Sequence, residues 1–243
     1  MKAMESKAVL ITGAARRIGR SLALALAAAG ANVAITFRES EEHAARTVEE
    51  LRALGFDAVA IPADVRSEAS VQTAVEAAAA RFGKLDLLIN NAGRFETADH
   101  IRITVEQWDA MFETNTRGPF LMAKAAYPHL KATRGRIVNI GSLGGLHPWS
   151  THAHYCTSKA ALHMLTQTMA KAFAPEISVN CVAPGMIVNG EVSDGYEHFL
   201  EKTPMKRNGT PQDVAAAVMF FATGPHFITG QILSVDGGLG LST

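Results

Sequence analysis

The sequence predicts a single doubly wound α/β domain, a seven-stranded parallel sheet with helices on both faces. Three observations predict it. Short runs rich in Val, Ile and Leu alternate with longer helical patterns along all 243 residues. The runs are continuously apolar, the pattern of strands buried on both faces. No internal repeat, low-complexity linker or shift in composition divides the chain, so residues 1–243 read as one domain.

The first strand is 8–12, and an Ala/Leu-rich helix at 18–29 follows it and stops at Gly30. A strand at 32–37 leads to a helix at 41–54, closed by Gly55. Next come a strand at 58–61 and a helix at 67–82, with Ser67 as its N-cap. A strand at 85–89 precedes one long helix from 104 to about 130. The strand at 136–140 is followed by a helix that carries Tyr155 and runs to about 173. A strand at 177–182, a capped helix beginning Thr210-Pro-Gln-Asp213 and a strand at 232–235 complete the sheet. Crossovers between parallel strands are expected to be right-handed. The irregular stretch at about 186–210 reads as a lid or substrate loop.

Composition narrows the function. Lys plus Arg number 23, as do Asp plus Glu, so the formal net charge is zero and no field points to nucleic acid or a membrane surface. No apolar run reaches the roughly 18 residues of a spanning helix. The short lead before the first strand lacks signal-peptide anatomy. The two cysteines, Cys156 and Cys181, form no disulfide framework, and a reducing cytoplasmic setting is expected. His147, His152 and His154 cluster loosely but lack metal-ligand spacing, so no metal site is expected.

Directly after the first strand stands Thr12-Gly-Ala-Ala-Arg-Arg-Ile-Gly19, which runs into a helix. Such a turn lets backbone approach a pyrophosphate, and the helix N-terminus supplies free N–H groups. This strand–turn–helix context points to a Rossmann-type dinucleotide site. The end of the second strand decides which dinucleotide. NAD binders hold the ribose 2′-hydroxyl there with an acid. Here Arg38 follows Phe37, and Arg17 adds a second guanidinium, both suited to a 2′-phosphate. Glu39 stands one position late and opens the next helix. NADP(H) is therefore expected.

Tyr155 and Lys159 are spaced i, i+4, and Ser142 lies thirteen residues before the tyrosine. On a helix the lysine ammonium shares the tyrosine's face. A free phenol has a pKa of roughly 10, and a nearby positive charge is expected to pull it down towards a useful range. Ser142 and Tyr155 could then hold one oxygen between them while a hydride moves to carbon.

Taken in order, the motifs are Gly13 to Gly19, Asp64-Val65, Asn90-Asn-Ala-Gly93, Asn115, Ser142, Tyr155 with Lys159, Pro184-Gly185 and Val235-Asp-Gly-Gly238. Along essentially its whole length the chain resembles the short-chain dehydrogenase/reductase family. The resemblance implies Tyr155 as acid/base and Ser142 as the oxygen-positioning hydroxyl. It implies that Lys159 lowers the tyrosine pKa and bonds the nicotinamide ribose, and that Asn115 holds a relay water. It also implies cofactor contacts from Gly13, Arg16, Arg17, Ile18, Gly19, Arg38, Asp64, Val65, Asn91, Ala92, Gly93, Tyr155, Lys159, Pro184, Gly185 and, through its backbone, Ile187.

The chain departs from the family pattern in places. Arg17 stands where the family turn usually carries glycine, a form similar to the pteridine reductase branch. Phe95 matches an aromatic that stacks on pterin in that branch. Yet that branch carries aspartate where this chain has Ser142, and it lacks Asn115. Asn189 replaces a usual threonine cofactor contact. Three readings stay open: a carbonyl reductase of the 3-oxoacyl thioester or ketone type, a dihydropterin reductase acting on C=N, and a non-catalytic NADP-binding regulator. Phe95, Leu143, Trp149 and Met186 are the candidate substrate wall. By resemblance the chain is expected to form a homotetramer through the long helix and the Tyr155 helix.

Overall fold

The structure is a computed structural model and describes residues 2–188 and 197–241. Seven parallel strands form one sheet: β1 (Ala8–Ile11), β2 (Asn32–Phe37), β3 (Ala58–Pro62), β4 (Leu87–Asn90), β5 (Arg136–Ile140), β6 (Ser178–Pro184) and β7 (Ile232–Val235). Their spatial order is β3-β2-β1-β4-β5-β6-β7. The chain winds outward one way from β1 and then the other way from β4. That reversal places a crevice at the carboxyl ends of β1 and β4, the switch point where such sheets bind ligands.

Alternate strand residues serve opposite faces. Val9 and Ile11 face a core that contains Leu22 and Leu26 of α1 (Arg17–Ala28), Leu51 of α2 (Glu41–Ala53) and Val218 of α8 (Pro211–Thr223). Leu10 and Leu88 face a second core. It holds Val75 of α3 (Glu68–Phe82), Met122 of α5 (Gly118–Thr133) and Met169 of α6 (Ala153–Phe173). Two cores explain why β1 is apolar and buried at every position.

The expected N-cap at Ser67 forms, with its side chain accepting from the Ser70 amide. Some boundaries differ. β4 begins at Leu87, two residues later than expected, and Asp86 stands just before it. Its carboxylate accepts from the Ala8 amide at 2.9 Å and pairs with Lys7 at 2.8 Å.

The long helix expected from 104 is two helices. α4 (Val105–Phe112) opens on a capping box of Thr104 and Gln107. A π turn over Glu113–Arg117 then joins it to α5, with the Gly118 amide donating to the Glu113 carbonyl. The break has a covalent cause. Pro119 has no N–H to give the Asn115 carbonyl in α-helical register, so the wider register is free to form.

Of the stretch at 186–210, residues 186–188 pair with Gly209, and α7 (Glu197–Lys202) is a short helix. Asn189 lies outside the described residues. Among the described residues no helix is long and apolar enough to cross a membrane.

Candidate active site

The turn after β1 is held by its neighbour strand. Thr12 Oγ1 accepts from the amides of Asn91 and Ala92 at 3.0 and 2.9 Å. The Asn91 side chain donates to the Thr12 and Gly13 carbonyls at 2.9 and 3.0 Å. Gly13 has φ +63, and a Cβ there would lie 2.9 Å from Ala92 Cα. A Cβ at Gly19 would lie 2.6 Å from Ala14 Cα. Both glycines are therefore packing requirements. Arg17 has φ 52, the left-handed region that glycine enters freely and that costs another residue roughly 1–2 kcal/mol. This explains the glycine usual at that position. α1 has no side-chain cap and no acid in its first turn, so its leading amides and dipole suit an anion.

Beside this turn lies a cleft of about 580 Å3. It gathers Gly13, Arg16, Arg17, Ile18, Gly19, Arg38, Asp64, Val65, Asn91, Ala92, Gly93 and Phe95 from the sequence-predicted set. Two of these are engaged elsewhere. Arg38 pairs with Glu39 at 2.6 Å, an exposed contact. Asp64 is clasped by Arg66, whose Nη2 lies 2.6 Å from Oδ2. That hydrogen bond leads among the effects holding the Asp64 carboxyl below its usual range. Sequence reasoning missed Arg66, although it stands only two residues from Asp64.

Pro184 ends β6, and the Gly185 amide donates to Val235 at 3.0 Å. A Cβ at Gly185 would press 2.7 Å from Asp236 Cβ, so glycine keeps these two loops in contact. The Gly209 amide donates to the Met186 carbonyl and the Val188 amide to the Gly209 carbonyl, each at 2.9 Å. In such a parallel bridge Ile187's own N–H and C=O face the other side. Pro184, Gly185 and Ile187 lie outside the lining of the main cleft.

Ser142 follows β5 with its Oγ accepting from the Gly144 amide at 3.1 Å. Its hydroxyl stands close enough to the Tyr155 phenol to act against the effect of burial on that group. Ser142 and Tyr155 thus stand together as expected. The charge relation differs from expectation. Lys159 Nζ donates to the Ile140 carbonyl at 2.8 Å and lies 6.0 Å from the Tyr155 ring centroid. Burial raises the Tyr155 pKa, and only Ser142 opposes it. Burial also lowers Lys159 to about 8. Desolvation governs the phenol in this arrangement, with the Lys159 ammonium turned to the Ile140 carbonyl.

Asn115 sits in the π turn, fully buried. Its Oδ1 accepts from the Arg94 amide at 2.8 Å, and its Nδ2 donates to the Arg94 carbonyl and Ser158 Oγ at 2.9 and 3.0 Å. A Cβ at Gly93 would stand 3.4 Å from Asn115 Oδ1 and 3.7 Å from Lys159 Nζ, so Gly93 roofs this pair.

Three aromatic rings cluster beside the phenol. Phe95, 60% exposed, meets Tyr155 edge-on at 4.9 Å and stacks on His152 at 4.9 Å. Trp149 lies nearly parallel to Tyr155 at 6.0 Å and edge-on to His152 at 5.6 Å. Met186 is half-buried nearby in sequence to Gly185. Leu143 is a correction: it is buried, and a Cβ on Gly240 would reach its Cδ1 at 2.9 Å, so it packs under the C-terminal segment. Cys156 is buried and its thiol pKa raised by that burial, as fits a packing residue. Among the described residues no His, Cys, Asp or Glu group is arranged to hold a metal.

A family model described as enoyl-(acyl carrier protein) reductase matches residues 13–240. A 3-oxoacyl-[acyl-carrier-protein] reductase of Synechocystis is 37% identical over 98% of this chain and 99% of that protein. A short-chain dehydrogenase of Burkholderia cenocepacia, solved with NADP, superposes with a TM-score of 0.92 at 37% identity, covering 98% of this chain and 99% of that one. A gluconate 5-dehydrogenase of the same organism, solved with NADP and tartrate, gives 0.92 at 34% identity over 98% and 97%. The chain belongs to the short-chain dehydrogenase/reductase family.

Proposed function

We propose that the chain is an NADPH-dependent carbonyl reductase of the 3-oxoacyl thioester or ketone type. One observation carries this reading: the Ser142–Tyr155 hydroxyl pair stands with Lys159 behind it and an anion-ready nucleotide cleft alongside. The 3-oxoacyl reductase among its relatives and the NADP held by its structural neighbours support it.

The residues present fit the cofactor. The uncapped α1 suits the pyrophosphate, Gly13 and Gly19 let the turn that carries its N-terminus pack tightly, and Arg38 with Arg17 suits the 2′-phosphate. Bound NADPH supplies the hydride. Ser142 holds the carbonyl oxygen, and Tyr155 gives it a proton. Lys159, an ammonium below about pH 8, offsets the charge left on the phenolate. Asn115 fixes the Arg94 backbone and, through Ser158, the turn of α6 that carries Tyr155 and Lys159. The rings of Phe95 and Trp149 border the substrate space.

The test is loss of NADPH absorbance on a 3-oxoacyl thioester, several ketones and a dihydropterin, repeated with NADH. Turnover of carbonyls with NADPH is expected. Equal turnover with NADH, or of no carbonyl at all, refutes the reading. The dihydropterin is the second reading, and the exposed Phe95 ring beside the phenol is what favours it.

The assembly we propose is a homotetramer. A groove of about 460 Å3 between α5 and α6, lined by Phe120, Tyr127, Leu165 and Phe173, offers an apolar face for it. Light scattering is expected to give four times the 25.9 kDa chain mass, and a monomer would overturn the proposal.

A further inference from the structure

We propose that His163 is a positioning residue that sets Ser142 in place by wedging the turn between Gly141 and Gly145. The inference rests on the reading of Ser142 as the group that holds the substrate oxygen.

The geometry is specific. His163 follows Lys159 by four residues and Tyr155 by eight, so all three share one face of α6. The imidazole is only 4% exposed. Its Nε2 lies 3.5 Å from the Ser142 nitrogen and accepts from that amide, a long hydrogen bond at the site's main chain. The ring is also clasped at both ends of the turn. A Cβ on Gly141 would fall within van der Waals overlap of Nε2, and one on Gly145 would stand 2.6 Å from Cε1. Cys181 Sγ closes the far wall, 2.7 Å from that same Gly141 position. Two of the three glycines in residues 141–145 thus make room for one side chain, and Ser142 directly follows the first of them.

The consequence runs through the backbone. The imidazole meets Ser142 at its amide, while Ser142 Oγ accepts from the Gly144 amide. Its place is therefore set by where the main chain stands, and the imidazole fixes the main chain. Small displacements of a positioned group cost heavily in rate. Acceptance at Nε2 needs a neutral ring with its proton on Nδ1. Burial, with the Lys159 ammonium next to it, keeps the ring neutral, its pKa pushed down to about 4. Nδ1 faces the Gly145 backbone without a well-formed hydrogen bond. A ring held with one nitrogen poorly satisfied points to a role beyond filling space.

His163→Gln and His163→Asn test this. The glutamine amide reaches the place of Nε2, whereas the asparagine amide reaches only that of Nδ1. Amide hydrogen exchange at Ser142 is expected to stay slow in His163→Gln and to speed up about tenfold in His163→Asn. kcat for carbonyl reduction is expected to follow, near wild type for Gln and about tenfold down for Asn, with the KM for NADPH unchanged in both. Equal exchange and equal kcat in the two variants would overturn the proposal. If the asparagine protein does not fold, His163→Leu takes its place, with the same loss expected. Exchange is read without substrate. A wild-type protein that reduces no carbonyl therefore defeats the proposed activity, whereas equal exchange defeats the wedge.

Discussion

Tyr155→Phe is expected to lower carbonyl turnover by about 10^3-fold, within the range for removal of a general acid. The variant is a clean probe of chemistry. Phenylalanine keeps the ring that Phe95 meets edge-on and Trp149 faces at 6.0 Å, so packing survives. Only the hydroxyl leaves, and Ser142 retains its bond from the Gly144 amide. NADPH binding is expected to persist, because the phenol is outside the lining of the nucleotide cleft. Stopped turnover with retained binding, followed by cofactor fluorescence, is the expected pair of results. A fully active Tyr155→Phe protein would refute the proposed mechanism. The raised pKa of the phenol matters here: near neutral pH it stays protonated, which is the form that gives a proton to a ketone oxygen.

Arg38→Asp is expected to weaken NADPH binding by about 10^2-fold, since a charge-assisted hydrogen bond is worth roughly 1.5–3 kcal/mol and the new carboxylate repels the 2′-phosphate. NADH affinity is expected to hold or improve, because an acid here can accept from a ribose 2′-hydroxyl. Glu39 sharpens the prediction. It pairs with Arg38 at 2.6 Å, so a 2′-phosphate must take the guanidinium from it. Glu39→Gln is accordingly expected to tighten NADPH binding slightly and to leave NADH alone, the exposed pair being worth no more than about 1 kcal/mol. Titration of both dinucleotides against the three proteins checks this. Unchanged NADPH affinity in Arg38→Asp would place the cofactor's phosphate elsewhere.

The strands and most helices were legible because burial on both faces leaves a mark on every strand residue, as at Val9, Leu10 and Ile11. The nucleotide turn and the Ser142, Tyr155 and Lys159 set were legible because their spacings are local. What spacing could not convey was direction and surroundings. Helical periodicity runs smoothly through 104–130, and only the register of Pro119 against Asn115 hints at the break. Leu143 looked like a pocket wall from its place after Ser142, but the distant Gly240 segment covers it. The Tyr155 pKa followed burial, which no local pattern reports. His163 lies on the catalytic face by its spacing alone. What makes it reach Ser142 is the emptiness at Gly141 and Gly145, a relation between segments far apart along the chain.

The π turn at Glu113–Arg117 carries a further implication. Such a turn holds one residue more than the straight helix it interrupts. Excise that residue and α4 would run on into α5 in one α-helical register, with Pro119 still leaving one backbone bond unmade. Yet each residue past the excision would rotate by about 100° relative to α4, and Asn115 would leave its grip on Arg94 and Ser158. The chain length at this one place is thus tied to the site. The extra residue sits where Asn115 joins the Arg94 backbone to α6.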